Sequence, residues 1–303
     1  MTGPHGQSRA GRRGFSIVEL VTVIALTGIL TVGLANVLQH PMNGYAAVSR
    51  RSELVALADL AIGRMVRDLR RALPNSVRVS SSGRVLELLH TSGGGRYRAD
   101  PGVNDPGGPN EVDHSNGSDW LSFGGDTSFN LIGRFQNPAF IRGEALPSGT
   151  RIAIYPSSAG IWTEAALGTN PGSITPASTT LSLADDGDED QLQLSQEHRF
   201  ALESPNARLY LVDTPITFLC DPVEGTLWRI EGYPVTSSQP TDPALPPLSD
   251  GSHARAADRL ESCAFDYVPG SPSRSGLVTL TLVLASGNER VRLLQQVEIR
   301  NAP

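Results

Sequence analysis

The N-terminal part of the chain contains one long apolar run. Residues 15–38 are 24 residues with a single charge, that of Glu19. At about 1.5 Å per residue, a helix of this length is roughly 36 Å long, whereas the hydrocarbon core of a bilayer is about 30 Å thick. The run therefore predicts a transmembrane helix over residues 15–38.

The next stretch, residues 39–74, has the spacing of an amphipathic helix. Apolar side chains recur at every third or fourth position, and the arginines lie mostly off that stripe: Leu54, Ala58, Ala61, Ile62, Met65 and Leu69. Such a stripe is typical of a helix that packs on a sheet. Pro41 predicts a bend near its beginning and Pro74 predicts its end. The two stretches together predict one long N-terminal helix.

After Pro74 the pattern changes to short alternating runs, which are typical of β-strands. We expect strands over 77–79, 84–89, 151–155, 191–194, 208–212, 216–220, 227–233, 263–267, 277–284 and 291–299. Stretches rich in Gly, Pro, Ser and Asp separate them, at 91–118 (with Gly93, Gly94 and Gly95), 156–178 and 234–253. A helix followed by many short strands predicts an α+β fold, with residues 75–303 forming an antiparallel β-sheet domain.

Composition and charge narrow the class of protein. The chain is 39% hydrophobic and 18% charged, and it has 31 Gly and 22 Pro, which argues against a helical bundle. All 25 basic residues are arginine, and the formal net charge is −6. Three arginines lie in residues 1–14, which contain no acid, so the remainder has 22 arginines against 31 acids. This acidic body argues against a general nucleic-acid binder, and we expect no nucleic-acid partner.

The basic residues before the apolar run predict that this end is cytoplasmic and that the body lies outside the inner membrane. A secretory signal has a shorter apolar region and a small-residue cleavage site after it, whereas here Gly14 precedes the run. The carboxylate of Glu19 is costly in hydrocarbon unless it is paired. If the chain were cut after Gly14, the new α-amine of Phe15 in a neighbouring copy would supply that partner.

The segment Gly14-Phe15-Ser16-Ile17-Val18-Glu19 resembles the class III signal of type IV pilins and type II secretion pseudopilins. The resemblance implies a leader, residues 1–14, which a prepilin peptidase removes after Gly14. It also implies N-methylation of Phe15 and a role for Glu19 in subunit docking. The implied fold is pilin-like, with the long helix packed on an antiparallel sheet that carries long loops.

The body extends this resemblance. Residues 64–79 (RMVRDLRRALPNSVRV), 218–222 (FLCDP), 263–267 (CAFDY) and 276–282 (GLVTLTL) are similar to the large minor pseudopilins of MSHA-type pilus biogenesis, the MshO family. This implies a single-pass inner-membrane subunit with a periplasmic body, which later enters a pilus or pseudopilus. The implied partners are other minor and major pilins and the inner-membrane assembly platform. The implied place is at or near the filament tip, with a contribution to adhesion.

The two cysteines and one acidic run of the sequence indicate a candidate disulfide and a candidate metal site. The two cysteines, Cys220 and Cys263, fit one structural disulfide in an oxidising compartment such as the periplasm. The run 185–190 contains five acids, and Asp185, Asp186, Asp188 and Asp190 are candidate calcium ligands. The spacing departs from that of an EF-hand, so the alternative is a solvated turn without any cofactor.

We identify no catalytic motif, so we expect a protein that is not an enzyme. Asp113, His114 and Asp119 would be needed for a membrane-tethered hydrolase, but their spacing matches no catalytic motif. Two alternatives to a pilus subunit stay open. One is a minor pseudopilin of type II secretion, and the other is a tip module that binds a surface or a glycan through its polar loops.

Overall fold

The computed structural model of this chain describes residue 14 and residues 16–100, 119–270 and 274–299, with the backbone alone for residues 35–43. The chain divides into two compact units, Met1–Ser52 and Glu53–Pro303. Helix α1 spans Ile17–Arg70 and is continuous through Pro41. The bend at Pro41 stays a prediction.

The part of α1 within the second unit packs as its stripe predicts. Leu54, Ala58, Met65 and Leu69 are fully buried and belong to one core cluster with residues of seven strands. The arginines of this segment lie on its exposed side, and those in its last turn, Arg67 among them, also complement the partial negative charge of the helix end.

The second unit is built from antiparallel strands. Their bounds are β1 Arg78–Val79, β2 Val85–Arg96, β3 Asp126–Leu131, β4 Arg151–Ile154, β5 Leu181–Asp186, β6 Glu189–His198, β7 Arg208–Asp221, β8 Thr226–Glu231, β9 Ser252–Ala257, β10 Leu260–Val268, β11 Gly276–Ser286 and β12 Glu289–Ile299. A short helix α2, Ile161–Leu167, and a 3₁₀ turn, Leu248–Asp250, lie between strands. The helix and the antiparallel strands confirm the α+β class.

The strands form three sheets in the described residues. The first has the order β1-β2-β7-β8-β9 with β4 also paired to β7, the second is β10-β11-β12, and the third is β3-β6-β5. α1 covers the first two sheets, where its apolar stripe meets residues such as Phe218 and Phe265. A separate core cluster around Phe129 and Phe200 fills the space against the third sheet.

The structure corrects the prediction that the glycine triplet at 93–95 lies in a loop. These glycines continue β2, with Gly94 opposite Tyr210 in β7. A Cβ at Gly93 would lie 3.1 Å from Cε2 of Phe140, so glycine lets this ring pack closely on the strand. Pairing with β7 stabilises this part of the strand, since the glycines have no side chains that could do so. Local composition alone therefore does not predict a strand here.

Candidate functional site

The apolar part of α1 is the first candidate site. The segment Ile17–Leu34 has a mean hydropathy of 2.3 and is long and apolar enough to span a membrane. None of these side chains is buried within the protein, and Ile17, Ile29 and Leu30 are each more than 70% exposed. An apolar helix with no buried face has its packing partners outside its own chain.

Hydroxyl groups in this segment have their hydrogen bonds satisfied inside the helix. The Oγ1 atoms of Thr22, Thr27 and Thr31 donate to the backbone carbonyls of Glu19, Val23 and Thr27, at 2.9, 2.6 and 2.7 Å. In hydrocarbon an unpaired hydroxyl costs several kcal/mol, so these bonds keep the helix surface apolar.

Glu19 lies in the first turn of α1 and is exposed. The partial positive charge of a helix N-terminus favours a carboxylate at this place. Gly14 is exposed and lies outside regular secondary structure, whereas Phe15 and residues 1–13 lie outside the described residues. Cleavage after Gly14, methylation of Phe15 and the docking role of Glu19 stay predictions.

A disulfide joins Cys220 in β7 to Cys263 in β10, with the two Cα atoms 6.5 Å apart. The bond links the first sheet to the second, which share no strand. Cys220 is buried in the core cluster beneath α1, and Cys263 packs against it. The bond therefore fixes two sheets beneath the same helix.

The acidic run forms the hairpin between β5 and β6, and its turn is made by Gly187 with a φ of +67°. Its carboxylates face arginines that come from distant parts of the chain. Arg134 Nη2 lies 2.7 Å from Asp185 Oδ1, and Arg98 forms a two-pronged pair with Glu189.

Asp190 of this hairpin accepts hydrogen bonds on both of its carboxylate oxygens. It is fully buried, and Arg142 donates to its two oxygens at 2.5 and 3.0 Å. The backbone N–H of Phe135 donates to Oδ2 at 2.7 Å. A calcium ion would have to displace these donors, since it needs the same oxygens. Within the described residues, no group of three His, Cys, Asp or Glu side chains could hold a metal ion.

The remaining candidates for chemistry do not converge within the described part of the chain. Asp113 and His114 lie outside the described residues, and Asp119 is buried. His90 Nδ1 lies 2.8 Å from Asp213 Oδ1 in a half-buried pair. His198 is fully buried, and its desolvation lowers its pKa below the ordinary value.

A buried polar network was not predicted from the sequence. Glu87 is fully buried in β2, accepts from Arg78 Nε at 2.7 Å and accepts from the Tyr233 hydroxyl at 2.9 Å. Tyr233 also shares a hydrogen bond of 2.6 Å with Thr217, and burial raises its pKa. The Arg78 guanidinium stacks on Trp162, 3.7 Å from the ring centroid. The sequence feature that could have indicated this network is a charged residue, Glu87, within the apolar run VLELL of residues 85–89.

This network holds the long Pro-rich segment that follows Tyr233. The remaining Arg78 donors bond to backbone carbonyls of Thr236, Ser237 and Ser238.

Comparison of the chain with protein-family models, with curated proteins and with solved structures found no match.

Proposed function

We propose that the chain is a membrane-anchored minor pilin or pseudopilin, a subunit of an MSHA-like type IV pilus that acts in filament assembly or at the tip. The observation that carries the proposal is the segment Ile17–Leu34, which is apolar and exposed on every side. Such a helix needs lipid or other helices around it. A filament subunit uses both in turn, with lipid before assembly and neighbouring subunits afterwards.

Glu19 gives this helix its assembly contact. Cleavage after Gly14 leaves an α-amine on Phe15, which the same peptidase methylates. In the filament the amine of one subunit pairs with Glu19 of its neighbour. An opposite charge at close range in low dielectric offsets the desolvation of both groups, and it also fixes the axial stagger between subunits.

The acidic body then faces outward from the filament. Its inter-sheet disulfide suits the periplasm, where such bonds persist. The partners are the prepilin peptidase, the inner-membrane assembly platform, and other minor and major pilins. Nucleic acid is not a partner, since the net negative charge of the chain repels phosphate. The protein acts by assembly and not by catalysis.

Mass spectrometry of the N-terminal peptide tests this proposal, in membranes and in filaments sheared from the cell surface. A methylated Phe15 terminus in the sheared fraction would support a pilus subunit. The same peptide found in membranes alone would favour the second candidate, a pseudopilin of type II secretion, because the pseudopilus is periplasmic. An intact Met1 terminus in cells with an active prepilin peptidase would overturn both.

Replacing Glu19 with Ala tests the assembly contact. We expect Glu19→Ala to insert into the membrane as the wild type does, because the apolar run is unchanged, and to be depleted at least tenfold from sheared filaments. The matched control is Glu224→Ala, which removes an exposed carboxylate from the β7–β8 turn. Equal recovery of Glu19→Ala and wild type in filaments would contradict the pairing.

A further inference from the structure

The unit Glu53–Pro303 contains a cleft of about 570 Å³ where the end of α1 meets β2, β7 and the end of β12. Its lining includes the arginines Arg70, Arg96 and Arg208 together with the apolar residues Leu69 and Leu209. The volume lies in the range of about 300–1,000 Å³ that is typical of small-molecule sites.

Arg96 and Arg208 are direct partners in the β2–β7 ladder, so their side chains leave the same face of the sheet. Like charges placed opposite each other destabilise a strand pair. Arg96 Nε donates to the carbonyl of Asn206 at 3.1 Å, which fixes one edge of this guanidinium and leaves its terminal nitrogens for another acceptor. Both residues are exposed.

The cleft has three cationic groups, the guanidinium groups of Arg70, Arg96 and Arg208. Within the described residues, no salt bridge involves Arg70, Arg96 or Arg208, although Glu298 also lines the cleft. Other arginines of this unit, such as those of the acidic hairpin, do pair with carboxylates. The cleft is therefore a local positive site on a chain whose net charge is −6.

The wall of the cleft is kept open by glycine. Gly94 is two residues from Arg96 on the same strand face and is opposite Tyr210. A Cβ at Gly94 would lie 3.3 Å from the carbonyl oxygen of Leu209 and 3.8 Å from Cδ1 of Tyr210. Its absence leaves room beside the tyrosine ring, next to the two opposed arginines.

We propose that this cleft binds a small organic anion, whose carboxylate or phosphate group is held between Arg96 and Arg208. The planar guanidinium donates two parallel hydrogen bonds to either kind of oxyanion, and the anion removes the repulsion across the strands. The body of the ligand packs on the ring of Tyr210, whose side chain leaves the same face of β7 as that of Arg208. This function goes beyond the assembly role and makes the subunit a ligand-binding one.

Isothermal titration calorimetry on the full chain in nonionic detergent micelles tests the site. The probes are inorganic phosphate, D-glucuronate as a carboxylate on a sugar ring, and D-glucose as its uncharged counterpart. We expect saturable binding of at least one anion and none of glucose. Arg208→Gln should weaken that binding about tenfold or more, because it removes charge-assisted hydrogen bonds.

Arg84→Gln is the matched control, since Arg84 is an exposed arginine in the β1–β2 turn and does not line the cleft. It should bind as the wild type does. Arg208→Lys, which keeps the charge, should lose less affinity than Arg208→Gln, and this separates binding from a general folding defect. Binding of phosphate alone or of glucuronate alone would assign the anion. No saturable anion binding, equal binding of glucose, or an equal loss in Arg84→Gln would overturn the proposal.

Discussion

At the scale of single residues, the buried polar side chains show how this fold handles charge in its interior. Glu87 is fully buried and has partners on both carboxylate oxygens, Arg78 on one and Tyr233 on the other. Because all three side chains are bonded, their burial does not leave an unsatisfied group. The network also fixes the backbone of residues 236–238, which has no regular structure.

Tyr233→Phe tests this network. We expect a loss of about 1–3 kcal/mol in the free energy of unfolding, because Glu87 and Thr217 each lose a buried partner and Phe cannot replace it. Denaturant unfolding of the full chain in detergent measures the change. Tyr155→Phe is the control, since the Tyr155 hydroxyl has no hydrogen bond within the described residues. Equal stabilities of the two variants would contradict a structural role for the network.

The environment of His198 leads to a second prediction at this scale, namely that the stability of the protein depends on pH. Its Nε2 lies 3.2 Å from the carbonyl of Gly172, so Nε2 carries the proton of the neutral ring. Protonation would place a charge on the buried Nδ1, which has no acceptor in the described residues. Desolvation chiefly lowers the pKa below the ordinary value of 6.5, and the Arg151 charge lowers it further. The hydrogen bond to the Gly172 carbonyl and the charge of Glu164 oppose this shift of the pKa.

Well above pH 6.5 the ring is neutral in both the folded and the unfolded state, so its contribution to stability is complete. As the pH falls below 6.5, the unfolded state binds a proton before the folded state does, and stability decreases. We expect His198→Gln to have a shallower fall in melting temperature between pH 7 and pH 5 than the wild type. Parallel slopes for His198→Gln and the wild type would rule out His198 as the cause.

At the scale of elements, the structure depends on contacts between segments that are far apart along the chain. The third sheet is held to its neighbours by arginines from outside it, Arg98 after β2 and Arg142 between β3 and β4. Each inserts a guanidinium beside a buried carboxylate of β6. In this acidic run the carboxylates of Asp185, Glu189 and Asp190 are therefore paired with arginines, and calcium binding stays a prediction.

The prediction at this scale concerns the contribution of the disulfide to stability. Cys220 and Cys263 are 43 residues apart in sequence and belong to different sheets. Replacing both with Ala should lower the free energy of unfolding by about 2–4 kcal/mol, since the bond restricts the unfolded chain. Denaturant unfolding with and without reductant measures this. Reductant should destabilise the wild type and leave Cys220→Ala/Cys263→Ala unchanged; a wild type insensitive to reductant would contradict a stabilising role.

At the scale of the whole molecule, the apolar segment of α1 and the second unit differ in whether their apolar side chains are exposed or buried. Residues 17–34 expose their apolar side chains, whereas the second unit buries its own in core clusters. Exposed apolar surface of this extent marks contact with lipid or with other chains.

Charge placed in the apolar segment tests its contact with lipid. Ile24 and Ile29 are both more than 60% exposed. Replacing both with Arg should abolish retention in carbonate-washed membranes, because each arginine near the centre of a span costs about 2.5–3.5 kcal/mol on insertion. Ile24→Ala/Ile29→Ala is the control and should stay in the membrane fraction. Equal retention of the arginine variant would contradict a membrane-spanning role.

The sequence alone determined the features that depend on neighbouring residues. The apolar run, the stripe of residues 54–69 and the β1–β2 hairpin follow from local periodicity, and the α+β class follows from their order. The predictions at Gly14, Phe15 and Glu19 depend on a short motif, and nothing in the tertiary structure bears on them. Each element buries one face in a common core, so its apolar residues recur with the period of a helix or a strand, and the sequence shows this directly.

The tertiary structure decided which residues meet. Glu189 pairs with Arg98, 91 residues away, and Tyr233 bonds to Glu87 across 146 residues. The strand at Gly93–Gly95 and the opposed pair Arg96 and Arg208 likewise exist only because β7 lies beside β2. Such contacts depend on strand order and register, and they cannot be predicted from the composition of a single segment.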